Sequence, residues 1–465
     1  MTDEAKEFRA TAPAPSEPRP YRFPEVIREE LPNGLRVLMA PTRGAGLITA
    51  RAVVHAGADH DPADKPGLAV FTGEMLEEGA AGRTSMEIAE LVASLGAALF
   101  CGADWDASLV SLDALSRHLE PAVGILADLL RHPEFPPHEL ERMRSERLTA
   151  IRQQKDDPAV VAGQLFNRFI FGSAPYGNPS VGTEESVNAF ARGDVDAFYA
   201  RHYAPNNTSV IVTGDFDPSL ARALVRAAFG SWERKPRAVH EPPKAQVADG
   251  TKIFLIDRPA SVQSEVRVGH VGVARSSEDY FPLVVMNAIL GGVFTSRLNL
   301  NLRERHGFTY GIRSAFAFRK FAGPFVVSTA VRNEVTPSAI REILSELRAI
   351  REGDLTAEEM AVSKNYLEGV FPATVESAHD LASRVQEMEL YGLPNDYFDS
   401  YRERILAVDA EGIRRVAQKY LDPERVAIVV VGKASDIHEP LRALEHPIGI
   451  YDIEGRVVVS RRAEG

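Results

Sequence analysis

The sequence predicts an α+β fold built twice over: two homologous domains, each a mainly antiparallel sheet with helices packed on one face, arranged as a clamshell around a cleft. Three observations predict it. The 465-residue chain is 45% hydrophobic and 25% charged, an ordinary globular composition in a length beyond what one core usually supports. Strand-like runs alternate with long amphipathic helical patterns. The order of those elements recurs at a fixed offset, the mark of an internal duplication.

Residues 1–22, which begin MTDEAKEFRATAPAPSEPRP, are rich in Ala, Pro and charge and are expected to be a disordered tail. They lack the basic start and apolar run of a secretory signal. No stretch approaches the roughly 18 unbroken apolar residues of a membrane helix. The expected location is therefore cytoplasmic, or periplasmic where a signal peptide has been removed, without membrane association.

The N-terminal domain, 23–232, opens with a strand over Leu35–Pro41. Helical periodicity follows over Ser85–Leu95, Leu115–Arg131 and the polar-faced Glu139–Gln154, and the β-branched run Ser209–Gly214 (SVIVTG) closes it. Pro236, Pro242 and Pro243, with interspersed lysines, mark a linker over 233–250. The C-terminal domain, 251–455, repeats the sequence of events. It has a strand over Ile253–Pro259, helices over Phe281–Leu290, Pro337–Arg351 and Ala357–Phe371, and a closing run Val426–Gly432 (VAIVVVG). The offsets agree, since 259 − 41 = 218 and 432 − 214 = 218.

The net charge of −12 argues against nucleic acid, whose phosphates are held by Lys and Arg. Cys101 is the single cysteine, so the chain forms no internal disulfide and no thiolate zinc cluster; it is expected in the core. His132 and His138 flank prolines in a loop and are expected at the surface. Gly291-Gly292 begin no dinucleotide or phosphate-binding pattern and are expected to allow a close backbone approach.

Residues Gly67–Gly79 read GLAVFTGEMLEEG. This segment resembles the inverted zinc motif, His-x-x-Glu-His, of the insulinase/pitrilysin family, matching its frame at Gly67, Leu68, Ala69, Phe71, Met75, Leu76 and Gly79. In that motif two histidines four apart share a helix face and hold zinc, while the glutamate acts on the metal's water. Here the resemblance puts Val70 and Glu74 at the histidine positions and Gly73 at the glutamate. The family's third ligand precedes an Asp-Asp-Pro segment, here Asp156-Asp157-Pro158, and falls on Ala150, one turn from Glu146. Valine and glycine can neither bind a metal nor move a proton. No metal is expected in this chain, and Glu74, Glu77 and Glu78 are expected to be a solvated helix end.

In the second domain Ile289–Ser314, ILGGVFTSRLNLNLRERHGFTYGIRS, is similar to the family's C-terminal block, LGG-x-x-x-SRL-x-x-x-LRE-x-x-GL-x-Y. Its functional pair falls on Arg303 and Tyr310, seven residues apart. A continuous helix would place both on nearly one face, whereas a stop at Gly307 makes the pair meet at a helix-to-strand corner. The resemblance implies that both face the scissile peptide, the arginine holding a substrate carbonyl and the tyrosine hydroxyl donating to the oxyanion. His306, between them, is expected at the surface.

The resemblance spans residues 24–450 and is nearest to bacterial heterodimeric members, in which one subunit bears the zinc motif and its partner the Arg/Tyr pair. Mitochondrial processing peptidase has a similar zinc-less subunit, with a longer glycine-rich loop than the one here. The expectation is a non-catalytic subunit that lends Arg303 and Tyr310 in trans to a homologous zinc-bearing partner, for cleavage of peptides. Two other roles stay open. One is an inert structural subunit of the kind this fold contributes to respiratory complexes, and the other a stand-alone binder that captures extended peptides along a sheet edge.

Overall fold

The computed structural model describes residues 21–236 and 250–458. The expected tail, 1–22, and linker, 233–250, lie largely outside the described residues, at 1–20 and 237–249. The first half forms β1 (Ile27–Glu30), β2 (Arg36–Pro41), β3 (Leu47–Val54), β4 (Ala98–Ala103), β5 (Ser108–Leu115) and β6 (Thr208–Gly214). These make a six-stranded sheet in the order β1-β2-β6-β3-β5-β4. Its helices include α1 (Leu68–Glu74), α2 (Ser85–Ser94), α3 (Leu119–Arg131), α4 (Pro137–Gln154) and α5 (Pro158–Phe171).

The second half forms β7 (Lys252–Asp257), β8 (Gln263–Val271), β9 (Ile312–Phe316), β10 (Pro324–Arg332), β11 (Ala427–Gly432) and β12 (Ile448–Tyr451), ordered β9-β10-β8-β11-β7-β12. Its helices include α6 (Tyr280–Asn287), α7 (Thr336–Glu352), α8 (Ala357–Val370) and α9 (Ala378–Tyr391). The path β2-β6-β3-β5-β4 is repeated as β7-β11-β8-β10-β9, so the duplication extends to topology. Only the outermost strand differs: β1 precedes β2 and runs antiparallel to it, whereas β12 comes from the chain's far end and runs parallel to β7. The opening strands also correspond with a shorter offset than their prolines indicate. Arg36 faces Ser209 and Lys252 faces Ala427, so the closing strands differ by 427 − 209 = 218 and the opening strands by 252 − 36 = 216.

The closing strands are apolar throughout because both of their faces are covered. On β6, Val210 and Val212 pack with the first half's own helices, while Ile211 joins the second half's core. On β11, Ile428 and Val430 lie in that core, and Ala427, Val429 and Val431 meet Val161, Leu165 and Phe166 of α5. Each half thus lays one helix on the other's sheet: α5 covers β11 and β8, and α9 covers β6 and β3. The expected helical layer on one face holds for each half's own helices, and the opposite face receives a helix from the other half.

Polar contacts fix these crossings. Arg51 of β3 donates to Ser383 Oγ at 3.1 Å and Gln386 Oε1 at 2.9 Å on α9. Asp106, between β4 and β5, accepts from Tyr176 at 2.5 Å, Tyr391 at 3.0 Å and the Lys320 backbone at 2.8 Å. Lys320 lies between β9 and β10, so the two equivalent hairpin turns meet at Asp106. With apolar faces shared in this way, the halves are expected to unfold together. Denaturation followed by circular dichroism and by tryptophan fluorescence should give one coincident transition, and Tyr391→Phe should shift it by about 1 kcal/mol without splitting it. Two resolved transitions would show halves that fold separately.

Candidate functional site

The first-half site is built on α1. Asp61 caps its start, its carboxylate accepting from the backbone N–H of Gly67 and Ala69, each at 2.7 Å. The helix is buried through Gly73. Val70 lies in this buried face, where an aliphatic side chain offers no ligand atom. Gly73 lies flush against β4: a Cβ there would come within 2.8 Å of the Gly102 backbone carbonyl. No side chain fits between helix and strand without moving one of them.

Glu74 forms an ion pair with Arg147 of α4. Ala150, exposed on the same helix, is one turn beyond Arg147, and Glu146 pairs instead with Arg142 at 2.8 Å. A guanidinium therefore satisfies Glu74 from the same helix on which the resemblance puts the family's third ligand, at Ala150. Arg142 also holds Glu78 at 2.6 Å, so two of the three carboxylates are ion-paired rather than merely solvated. Among the described residues Glu77 has no such partner; burial, with Glu78 and Glu74 beside it, pushes its carboxyl up to about 7. Among the described residues no group of three or more His, Cys, Asp or Glu side chains is placed to hold a metal. Val70, Gly73, the ion-paired Glu74 and Ala150 do not fit a zinc ion.

The second half has the same junction between helix and edge strand. A Cβ on Gly291 would lie 2.7 Å from the backbone nitrogen of Ser314 in β9. Gly73 and Gly291 are separated by 291 − 73 = 218, the duplication offset, so they are equivalent positions. This is the close approach expected of the Gly-Gly pair.

Gly291 lies in a wide π-type turn over Ala288–Gly292, and the chain forms another over Asn299–Arg305. Gly307, at φ +60, stops the second turn. Tyr310 thus lies in the connection to β9 rather than on a continuing helix, so the stop falls between Arg303 and Tyr310 as expected of a helix-to-strand corner. Tyr310 is 94% exposed, on the rim of a cavity of about 390 Å³ that Phe294 also lines. The guanidinium of Arg303 stacks 4.2 Å from the Phe294 ring centroid. Its Nη1 is buried without a hydrogen bond, with only Glu304 nearby at 3.4 Å. Phe294 thus stacks on Arg303 and lines the same cavity as Tyr310. Spacing alone gave no sign of it, although it lies inside the quoted block.

The remaining candidates are at the surface or in the core. His306 is exposed and stacks on Phe308, and His132 and His138 are exposed. Cys101 is buried in β4 and free. Arg147 was invisible to sequence reasoning, since nothing in the local pattern links it to a glutamate 73 residues away.

Two family models match the chain: Insulinase (Peptidase family M16) over residues 36–184 and Peptidase M16 inactive domain over residues 189–367. A protein of Mycobacterium leprae described as an uncharacterized zinc protease is 29% identical over 421 residues, covering 90% of this chain and 94% of its own length. A probable beta subunit of the mitochondrial-processing peptidase of Arabidopsis thaliana is 21% identical over 434 residues, covering 89% and 80%. The crystal structure of a peptidase M16 inactive domain from Pseudomonas fluorescens superposes with a TM-score of 0.82 at 28% identity, covering 88% of this chain and 98% of that one. A chain of complex III2 from Candida albicans has the same fold, with a TM-score of 0.75 at 14% identity and coverage of 90% and 99%.

Two substitutions test the front-half geometry. Gly73→Ala should lower stability by about 2 kcal/mol through overpacking, whereas Gly124→Ala, on open space in α3, should be neutral or stabilising. Equal effects at both positions in denaturant melts would contradict the close approach. Because the folded-state pKa of Glu77 is raised, its protonated form favours folding, and that stability is present below about 4.5 and lost as pH rises through about 7. Glu77→Gln should therefore add about 1 kcal/mol at pH 8, discounted for partial exposure, and nothing at pH 4, measured by denaturation at both values.

Proposed function

This chain belongs to the insulinase (M16) family of peptidases, and on that footing we propose that it is the non-catalytic half of a two-subunit zinc peptidase. A homologous partner with an intact His-x-x-Glu-His motif supplies the zinc, and this chain supplies Arg303 and Tyr310. The observation that carries the reading is the asymmetry between the halves. At the front, Gly73 is sealed against Gly102 and Glu74 is committed to Arg147. At the rear, an exposed tyrosine lines an open cavity beside Phe294, and Arg303, stacked on that ring, keeps a nitrogen that makes no hydrogen bond.

The work of this chain is binding and charge stabilisation. Arg303, held against Phe294, offers fixed N–H donors to a carbonyl of the peptide. The Tyr310 hydroxyl donates to the oxygen that becomes negative when the scissile carbonyl is attacked, and such a donor is worth about 3 kcal/mol. Neither residue takes up or releases a proton in this scheme. Their contribution is greatest at the tetrahedral stage and small in the ground state.

The test is reconstitution with a zinc-bearing homologue. In that complex Tyr310→Phe and Arg303→Ala should each lower kcat/KM for an unstructured peptide about 100-fold while bound zinc per complex stays constant. Full activity in the double variant would refute the division of labour. A well-formed complex that cleaves nothing would favour the structural role.

A further inference from the structure

A second cavity, of about 410 Å³, lies between α5 and the second sheet. It is lined by Trp105, Gln164 and Asn167 from the first half and by Arg267, Arg313 and Ser328 from the second. Arg313 and Ser328 also line the Tyr310 cavity. They face each other across the β9–β10 ladder, so the two cavities adjoin at that pair and are taken together as one trough.

The charge in this trough is unusual for the molecule. The chain carries 65 acidic against 53 basic side chains, yet neither cavity is lined by an Asp or Glu. Of the two arginines present, Arg267 is occupied: it pairs with Glu265 at 2.9 Å and donates to the Ala159 carbonyl at 3.0 Å. Arg313 is different. It points from the exposed face of β9, and among the described residues it has no hydrogen-bond or ion-pair partner. An unpaired cation in a wall without carboxylates sets a positive local field.

The edge of β9 is meanwhile unavailable for strand addition over its first residues. Asn299 donates to the Ile312 carbonyl at 2.8 Å and accepts from its N–H at 3.3 Å, while Asn287 donates to the Ser314 carbonyl at 3.1 Å. A peptide that reaches Tyr310 is therefore recognised along the trough by its side chains rather than by backbone pairing with β9.

We propose that Arg313 is a specificity residue that selects peptides with an acidic side chain within about three residues of the bond presented to Tyr310. The distance follows from three residues of extended chain between positions 310 and 313, at most about 10 Å. The proposal rests on the peptidase-subunit reading, because it takes the Tyr310 end of the trough as the place of the scissile bond. Two adjoining cavities hold several residues of peptide, more than a lone anion fills. The amide side chains of Gln164 and Asn167 suit the polar backbone of such a segment.

The test is binding to the purified full-length chain at low salt, read by fluorescence anisotropy. Two labelled, unstructured dodecapeptides differ only in a central Glu-Glu or Gln-Gln pair. The Glu peptide should bind about fivefold tighter, the upper range for an ion pair that keeps some water, and the advantage should shrink as salt rises. Arg313→Lys should keep the preference and Arg313→Glu should reverse it, while circular dichroism confirms that both variants are folded. Equal affinities, absence of saturable binding by either peptide, or a preference unchanged in Arg313→Glu would overturn the proposal. The wider reading fails separately: a Glu preference without cleavage beside a zinc-bearing partner would sink the peptidase role and leave the trough, and cleavage without the preference would do the reverse.

Discussion

The structure depends on a shared burial, in which neither sheet can cover its own second face. The central strands β6 and β11 carry apolar side chains on both sides, and one side of each is completed only by a helix from the other half. Each Val, Ile or Leu removed from water contributes roughly 1.5–3 kcal/mol, so a separated half would expose a substantial apolar surface. The consequence is geometric as well as energetic. With α5 and α9 seated on opposite sheets and Asp106 joining both hairpin turns, the cavity between the halves has fixed walls.

The duplication also explains how a family site can be lost without loss of the fold. Both halves bring a helix against the edge strand of their own sheet, and at equivalent positions, Gly73 and Gly291, that approach leaves no room for a side chain. In the second half this packing is what the Gly-Gly pair was expected to provide. The first half has the same contact, at the position that the resemblance aligns with the family's general-base glutamate. The carboxylate left at the second ligand position would be costly in this partly buried setting if uncompensated, and Arg147 supplies the opposite charge.

What was legible in the sequence follows from the range of the interactions that determine it. Helix limits such as Ser85–Ser94 and Thr336–Glu352 came within a few residues, because periodicity and capping are local. The runs SVIVTG and VAIVVVG were recognisable as strands, although their continuous apolarity does not say what covers the second face. The stop at Gly307 was legible because a left-handed glycine ends a helix wherever it occurs. The exchange of α5 and α9 left no local pattern, and neither did the pairing of Glu74 with Arg147 or the meeting of the two cavities at Arg313 and Ser328. Those are contacts between distant segments, and spacing carries no information about them.

The exposure of Tyr310 bears directly on how such a site can work. A phenol hydroxyl in bulk water gains little by donating to an oxyanion, because water offers the same hydrogen bond without being ordered beforehand. The same donor becomes strongly stabilising only where water is excluded and the local dielectric falls. At 94% exposure Tyr310 meets neither condition in the isolated chain. A second surface must therefore close over this corner before the pair can contribute to chemistry. The front of this chain offers no zinc ligands to such a surface. Under the proposed division of labour, a homologous partner would bring both the missing wall and the missing metal in one association, so the exposure of Tyr310 supports the two-subunit reading.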